Sequence, residues 1–357
     1  MKSYNVLGLM SGTSLDGLDL AYCRIRQGST GWEYEISAGK SVAYAPDMKE
    51  ALKDAIFLGG EDLLLLHNRY GEWLGQQARK FIAEKQLEVD FIASHGHTSH
   101  HRPQKGLTFQ LGSGQHLATA SGIKTISDFR TLDVALGGQG APLVPIGDGL
   151  FFGQFTYCLN LGGISNISFE KDGQRIAFDI GLANMLLNYL CRETLKGYDE
   201  GGELARKGKI LPKLFSRLNA LPYYALPYPK STGYEWFLEE VVPLLDGAGN
   251  TLEDLLHTGV HHICEQVAVQ LRSLNTGGRQ SLLVTGGGAL NTYLMDVLRE
   301  RLGPGIEVAV PERSLIEFKE ALIFALMGVL RREEKINVLA SVTGARRDSS
   351  SGVLFLP

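Results

Sequence analysis

Closely spaced cysteines, long apolar runs and clusters of basic residues are all missing from this sequence. Its four cysteines, Cys23, Cys158, Cys191 and Cys264, form no CxxC pair, which argues against a thiolate metal site and favours a reduced, cytoplasmic setting. No stretch reaches the ~18 apolar residues that a membrane-spanning helix needs, and the N-terminus does not resemble a signal peptide. The net charge of -4 and the lack of a long basic run argue against nucleic acid as a partner.

The length and composition indicate a globular protein of more than one domain. The chain has 357 residues, of which 44% are hydrophobic and 21% are charged. A single hydrophobic core seldom grows beyond about 250–300 residues, so we expect two domains.

Two apolar stretches end in turns that are rich in glycine and hydroxyl residues. One turn lies within residues 7–17 and the other within residues 159–166. Glycine lets the main chain approach a ligand closely. Two such turns can therefore bind a polyphosphate through hydrogen bonds from main-chain N–H groups and side-chain hydroxyls. The candidate phosphate-binding residues are Ser11, Gly12, Thr13, Ser14, Gly162 and Gly163. Asp16 would hold a hydrated Mg²⁺ beside them. The alternative is a pair of ordinary hairpin turns, which the duplication disfavours.

The order of the predicted elements is repeated along the chain. The first copy has a hairpin at 4–26, a strand at 32–44, helices, and strands at 89–94 and 124–127. The second copy has a hairpin at 157–170, a strand at 175–178, helices, and strands at 281–285 and 307–310. This repetition predicts an internally duplicated α/β protein with a cleft between two lobes.

Polar residues that follow predicted strands are candidates for a binding site. His95 belongs to a histidine-rich segment that could rim a substrate cleft or, less favourably, hold a metal ion. Asp179 follows a strand and could act as a general base or simply cap a helix. Arg130 could bind a substrate carboxylate or belong to a structural ion pair. The residue types leave each pair of alternatives open.

Glycines at 286–288 follow a buried strand and open a helix. They lack the second half of a dinucleotide-binding fingerprint, so a Rossmann site is disfavoured. Gly286, Gly287 and Gly288 could instead let a flat base or ribose lie against bare main chain.

A family resemblance extends over nearly the whole chain. It rests on residues 8–17, 94–96, 128–130, 137–145, 160–166, 229–233, 286–291, 320–321 and 342–345. Together these segments resemble the anhydro-N-acetylmuramic acid kinases, a branch of the superfamily that contains actin and the hexokinases.

The resemblance implies a fold and a reaction. It implies two ribonuclease H-like lobes with an interlobe cleft, one at residues 1–130 with 338–357 packed back on it and one at 131–337. ATP and Mg²⁺ would bind in the cleft, and the enzyme would be a homodimer. Its reaction would open 1,6-anhydro-N-acetylmuramic acid with water and phosphorylate O6, giving N-acetylmuramic acid 6-phosphate in cell-wall recycling.

The resemblance also implies residue roles. Asp179 matches the catalytic aspartate that deprotonates the attacking water, and Asn291 joins the nucleotide-binding residues. The sugar would contact His95, Arg130, Asn184 and Glu320.

One segment departs from the family pattern. Where relatives usually read Asp-Thr-Gly-Pro-Gly-Asn, this chain has Ile180, Leu182 and Ala183 between Asp179 and Asn184. A kinase for a different anhydro sugar and a catalytically weak ATP-binding homologue are therefore the alternative functions.

Overall fold

The computed structural model describes residues 2–12, 15–29, 31–245, 250–274 and 277–357. Thr13 and Ser14, two of the expected phosphate-binding residues, lie outside this described part of the chain. Contacts divide the chain into two compact units, residues 1–151 with 318–357 and residues 152–317.

The first unit is built on a seven-stranded sheet. Its strands are β1 (Ser3–Ser11), β2 (Leu18–Gln27), β3 (Trp32–Val42), β4 (Phe91–Arg102), β5 (Leu107–Leu111), β6 (Thr125–Ser127) and β12 (Val353–Phe355). The order is β12-β6-β4-β1-β2-β3, and β5 pairs with β4. Strand β2 is antiparallel to both β1 and β3, whereas β4 is parallel to β1 and β6 is parallel to β4. The central strand β1 is buried along nearly its whole length, as its continuous apolar sequence predicts.

The second unit repeats this topology. Its strands are β7 (Tyr157–Leu161), β8 (Ile164–Lys171), β9 (Gln174–Leu182), β10 (Gln280–Thr285) and β11 (Ile306–Ala309), in the order β11-β10-β7-β8-β9. Again the first three strands are antiparallel, and the next two are parallel to the first. Five strands of the first sheet, in the order β6-β4-β1-β2-β3, match the five strands of the second in order and direction, and this confirms the internally duplicated α/β fold.

Helices cover the sheets of both units. They are α1 (Pro46–Asp54), α2 (Gly60–Lys85), α3 (Gly114–Ser121), α4 (Thr131–Ala135), α5 (Pro145–Phe152), α6 (Asn184–Leu190), α7 (Pro212–Asn219), α8 (Pro222–Ala225), α9 (Tyr234–Trp236), α10 (Val242–Leu245), α11 (Leu252–Ser273), α12 (Thr292–Leu302), α13 (Arg313–Arg332) and α14 (Ala340–Thr343). Among the described residues, no helix combines the length and apolarity that crossing a membrane requires.

Two strands are longer than the sequence predicts, and this changes where candidate residues lie. The strand predicted to end at residue 94 continues as β4 to Arg102, so its histidines lie within a strand. Asp179 does not end its strand, because β9 continues to Leu182 through a register shift opposite Ser165 and Asn166. The helix-cap alternative for Asp179 is therefore wrong, since α6 begins at Asn184 and its N-cap residue is Ala183.

The unit bounds also differ from the residues chosen from sequence. Residues 131–151 and 318–337 belong to the first unit rather than the second. The reason is close packing: the Gly8 α-carbon lies so near Ala321 that an added Cβ would be 2.0 Å from its carbonyl oxygen. The C-terminal segment joins the same unit, since β12 pairs with β6.

Candidate functional site

The turn after β1 is supported by a buried group of hydroxyls. Ser11 Oγ lies 2.6 Å from Tyr44 Oη, which lies 2.8 Å from Tyr70 Oη. Ser11 Oγ is also 3.1 Å from His97 Nδ1. Burial lowers the pKa of His97 to about 4, so the ring is neutral at pH 7. Asp16 is exposed in the same turn, whereas the Ser11 hydroxyl is buried among protein groups.

Arg130 and His95 form a second polar group in the first unit. Arg130 Nε donates to His95 Nε2 at 2.9 Å, and Arg130 Nη1 donates to the Gly140 carbonyl. His95 Nδ1 lies 2.9 Å from the Gly96 carbonyl, so both ring nitrogens have partners within the protein. Burial and the Arg130 charge hold the pKa of His95 well below its usual value. The buried neutral imidazole therefore orients the guanidinium.

Glu320 on α13 is exposed and interacts electrostatically with Arg130. Desolvation by the surrounding protein raises the pKa of its carboxyl, and the Arg130 and Lys319 charges oppose that increase. Desolvation also lowers the pKa of Arg130 to about 10, which leaves the guanidinium charged at neutral pH. The Arg130 guanidinium thus lies within electrostatic range of the Glu320 carboxylate, and a guanidinium can bind an anionic substrate group.

Asp133 organises the glycine-rich segment next to Arg130. The residue is fully buried, and its Oδ2 accepts from the Gly140 N–H at 2.7 Å. Its Oδ1 accepts from the Thr343 hydroxyl at 2.7 Å. Asp133 therefore connects residues 137–142 to α14, and the Gly140 carbonyl that it positions binds Arg130.

Asp179 lies on the edge strand of the second sheet and is half-buried. Its Oδ2 accepts from the Thr232 N–H at 3.1 Å. Burial raises the pKa of the Asp179 carboxyl, and the Thr232 hydrogen bond partly offsets this shift. A half-buried carboxylate with raised basicity is suited to accept a proton from a bound water.

The second glycine-rich turn packs against the start of α6. The N–H groups of Ala183 and Met185 donate to the Gly163 carbonyl at 3.0 and 2.9 Å, and that of Asn184 donates to the Gly162 carbonyl at 3.0 Å. The Asn184 side-chain amide also donates to the Leu161 carbonyl at 3.0 Å. Gly162, Gly163 and Asn184 are therefore brought together.

Gly286 and Gly288 approach the same turn. A Cβ on Gly286 would be 2.5 Å from Asn160 Oδ1, and one on Gly288 would be 2.6 Å from Leu161 Cβ. Gly286 also has a φ of +79°, which L side chains rarely adopt. Glycine is thus required here by packing. Asn291 has a structural role as well, because its Oδ1 accepts from the Leu294 N–H and caps α12.

The candidate residues are divided between the two units. Ser11, His95, Arg130 and Glu320 belong to the first unit, and Gly162, Gly163, Asp179, Asn184 and Gly286 to Gly288 belong to the second. Sequence reasoning assigned no site role to Tyr44 and Tyr70, whose hydroxyls lie in the buried group that contains Ser11. These residues carry no motif, and only their three-dimensional contacts reveal them. In the described residues, no three His, Cys, Asp or Glu side chains form a group that could hold a metal ion.

Comparison with known proteins decides the family. A family model described as anhydro-N-acetylmuramic acid kinase matches residues 4–357. The chain belongs to this kinase family. The resemblance inferred from sequence motifs is thereby confirmed, and the chain is an enzyme of the kinase class that uses ATP.

Curated relatives in the family match over nearly their full lengths. The anhydro-N-acetylmuramic acid kinase of Actinobacillus pleuropneumoniae serotype 3 (strain JL03) is 34% identical over 365 residues, with 98% of each chain covered. The enzyme of the same name from Xanthomonas oryzae pv. oryzae (strain MAFF 311018) is 36% identical over 367 residues, covering 98% of this chain and 96% of the relative.

Solved structures overlap less well. Component A of the (R)-2-hydroxyglutaryl-CoA dehydratase of Acidaminococcus fermentans gives a TM-score of 0.47 at 13% identity, covering 90% of this chain and 96% of that one.

Proposed function

We propose that this enzyme opens 1,6-anhydro-N-acetylmuramic acid with water and transfers the γ-phosphoryl group of ATP to O6. The product is N-acetylmuramic acid 6-phosphate, and the reaction belongs to cell-wall recycling. Family membership supports this substrate class, and the arrangement of Asp179 carries the chemical argument.

The proposed reaction has two steps. Asp179 takes a proton from a water whose oxygen bonds to C1 of the sugar, and the C1–O6 bond breaks. O6 then attacks the γ-phosphorus and ADP leaves. The raised pKa of Asp179 favours this role, because a carboxylate of ordinary acidity is a weaker base. Positioning and charge neutralisation supply the rest of the catalysis.

Residues of the first unit would recognise the sugar. Arg130 would pair with the lactyl carboxylate, since a guanidinium can donate two parallel hydrogen bonds to a carboxylate. Glu320 would accept from sugar hydroxyls. His95 would orient Arg130 rather than bind the sugar itself, because both of its ring nitrogens already have protein partners.

The glycine-rich turns would hold ATP. Gly12, Gly162 and Gly163 would offer main-chain N–H groups to phosphates, as would Thr13 and Ser14. Main chain at Gly286, Gly287 and Gly288 would lie against the base and ribose. The exposed Asp16 carboxylate has the oxygen chemistry that Mg²⁺ prefers, and the ion would neutralise phosphate charge when bound.

The enzyme would be cytoplasmic, since the sequence has no closely spaced cysteines and all four of its cysteines are buried. We propose a homodimer, and light scattering after gel filtration would measure its mass.

A sugar panel tests the function. ADP release is measured with 1,6-anhydro-N-acetylmuramic acid, with the same sugar lacking its lactyl group, and with N-acetylmuramic acid, which has no 1,6-anhydro bridge. We expect turnover with the first sugar and a product heavier by one phosphoryl group and one water. Preference for the sugar without the lactyl group would instead support the alternative substrate.

Two variants test the assigned base. Asp179→Asn should reduce kcat at least ~100-fold, within the range for lost general-base catalysis, while ATP binding by calorimetry stays unchanged. Asp172→Asn is the matched control, because Asp172 is exposed in the turn of the same hairpin. Unchanged turnover in Asp179→Asn would remove the assigned role, and ATP binding without any sugar turnover would indicate the weak homologue.

A further inference from the structure

Asp179 is held by three contacts from one nearby stretch of chain, residues 223–232. Tyr223 Oη donates to the Asp179 carbonyl at 2.8 Å, and the Asp179 N–H donates to the Lys230 carbonyl at 3.0 Å. The third contact is the Thr232 N–H on Asp179 Oδ2 at 3.1 Å. Strand β9 is at the edge of its sheet, so its outer side is not paired with another strand of that sheet. The contacts from residues 223–232 supply hydrogen bonds to that outer side instead.

The Lys230 side chain binds main-chain groups of the same stretch, residues 223–232. Its ammonium is buried and donates to the Tyr223 and Tyr224 carbonyls at 3.3 and 3.2 Å. It also lies 4.9 Å from the centre of the Tyr223 ring. Among the described residues the ammonium bonds to carbonyls and faces an aromatic ring, with no carboxylate opposite it. A buried charge with such partners is costly for stability, which points to a role beyond packing.

The local backbone makes these contacts necessary. The pairing of β9 with β8 shifts register between Asp179 and Gly181, so the ladder is interrupted beside the carboxylate. Bulges of this kind change the direction of side chains next to active sites. A residue at such a bulge needs contacts from outside the sheet to hold its main chain in place. Tyr223, Lys230 and Thr232 supply it.

We propose that Tyr223 and Lys230 are positioning residues that fix the main chain of Asp179 and so the place of its carboxylate. This inference rests on the proposed function, in which Asp179 accepts the proton of the attacking water. Neither side chain bonds to the carboxylate, so both act through the Asp179 main chain and the Thr232 amide.

The chain offers a matched pair of tyrosines for the test. Tyr223 and Tyr224 are neighbours in α8 and are each 7% exposed. The Tyr224 hydroxyl lies 2.9 Å from His262 Nε2, and the Tyr224 ring packs against Gly181, further along β9 than Asp179. Tyr223→Phe and Tyr224→Phe therefore each remove one buried hydroxyl, and only the first loses a contact to Asp179.

We expect Tyr223→Phe to lower kcat about tenfold with both KM values changed less than twofold, since small displacements of a catalytic group reduce rate steeply. Tyr224→Phe should keep kcat within twofold of wild type although its melting temperature falls. Lys230→Met should lower kcat more than Tyr223→Phe. It should also move the acid limb of the pH profile of kcat/KM to higher pH, because a loosened Thr232 hydrogen bond no longer favours the ionised carboxylate.

Equal kcat values in the two tyrosine variants would overturn the inference, as would an unshifted acid limb in Lys230→Met. If wild-type enzyme turns over no anhydro sugar, the proposed function fails and a second readout decides the inference. The Asp179 carboxyl is titrated by ¹³C NMR in wild type and Lys230→Met, with Asp179→Asn identifying its signal. A higher pKa in Lys230→Met supports positioning, and identical titrations refute it.

Discussion

Arg130 Nε donates to His95 Nε2 at 2.9 Å, so His95 accepts a hydrogen bond and carries its own proton on Nδ1, facing the Gly96 carbonyl. The imidazole also packs against the Phe324 ring, with centroids 4.7 Å apart. The histidine is thus a fixed support for the guanidinium.

This relationship predicts a selective effect on substrate binding. His95→Phe keeps an aromatic ring beside Phe324 and removes the acceptor for Arg130. We expect KM for the lactyl-bearing sugar to rise about tenfold, the loss of one charge-assisted hydrogen bond. KM for the sugar without the lactyl group should stay within twofold. Arg130→Ala should show the same selectivity. An equal rise in KM for both sugars in His95→Phe would show that His95 does not act through Arg130.

Asp179→Asn should stabilise the protein at neutral pH. Burial raises the pKa of this carboxyl, so the folded state binds its proton more readily than the unfolded chain does. Ionised Asp179 therefore disfavours folding above the ordinary aspartate pKa, and asparagine removes that penalty. We expect a melting temperature higher by about 1–3 °C at pH 7. The gain should shrink as the pH falls toward 4, and a variant less stable than wild type at pH 7 would refute the argument.

Asp133 should matter mainly for stability. Asp133→Ala leaves the Gly140 N–H and the Thr343 hydroxyl without their shared buried acceptor. We expect a loss of about 3–5 kcal/mol in urea unfolding, as when one partner of a buried charged group is removed. Thr343→Ser, which retains the hydroxyl, should cost about 1 kcal/mol or less. Similar losses in the two variants would show that the carboxylate is not the organising group.

His97 should make stability rise with pH in the acidic range. Its folded pKa is about 4, below the usual 6.5, so the unfolded chain binds more protons between these values. Between pH 4 and 6.5 the free energy of unfolding should therefore increase with pH, and His97 should contribute up to about 1.4 kcal/mol per pH unit. His97→Gln should flatten the dependence, whereas His100→Gln, in the same strand and only half-buried, is the control. If the free energy of unfolding of His97→Gln depended on pH as steeply as that of the wild type, His97 would not be the titrating group.

The sequence predicted a large part of the fold, and it supplied the candidate residues of the site. The repeated order of apolar strands and glycine turns predicted two similar α/β units, because main-chain periodicity and turn chemistry are local properties. The full extent of β4 could not be predicted, since residues 95–102 are mostly polar and lack an apolar alternation. Its pairing with β5 stabilises it instead.

The sequence by itself determined the family, the two glycine-rich turns and the candidate carboxylates, since these depend on residue type and short spacing. Only the tertiary structure decided which groups orient them. Tyr223 and Asp179 are 44 positions apart, and His95 and Arg130 are 35 apart. Contacts at such separations arise from sheet order and helix packing, which no local pattern encodes.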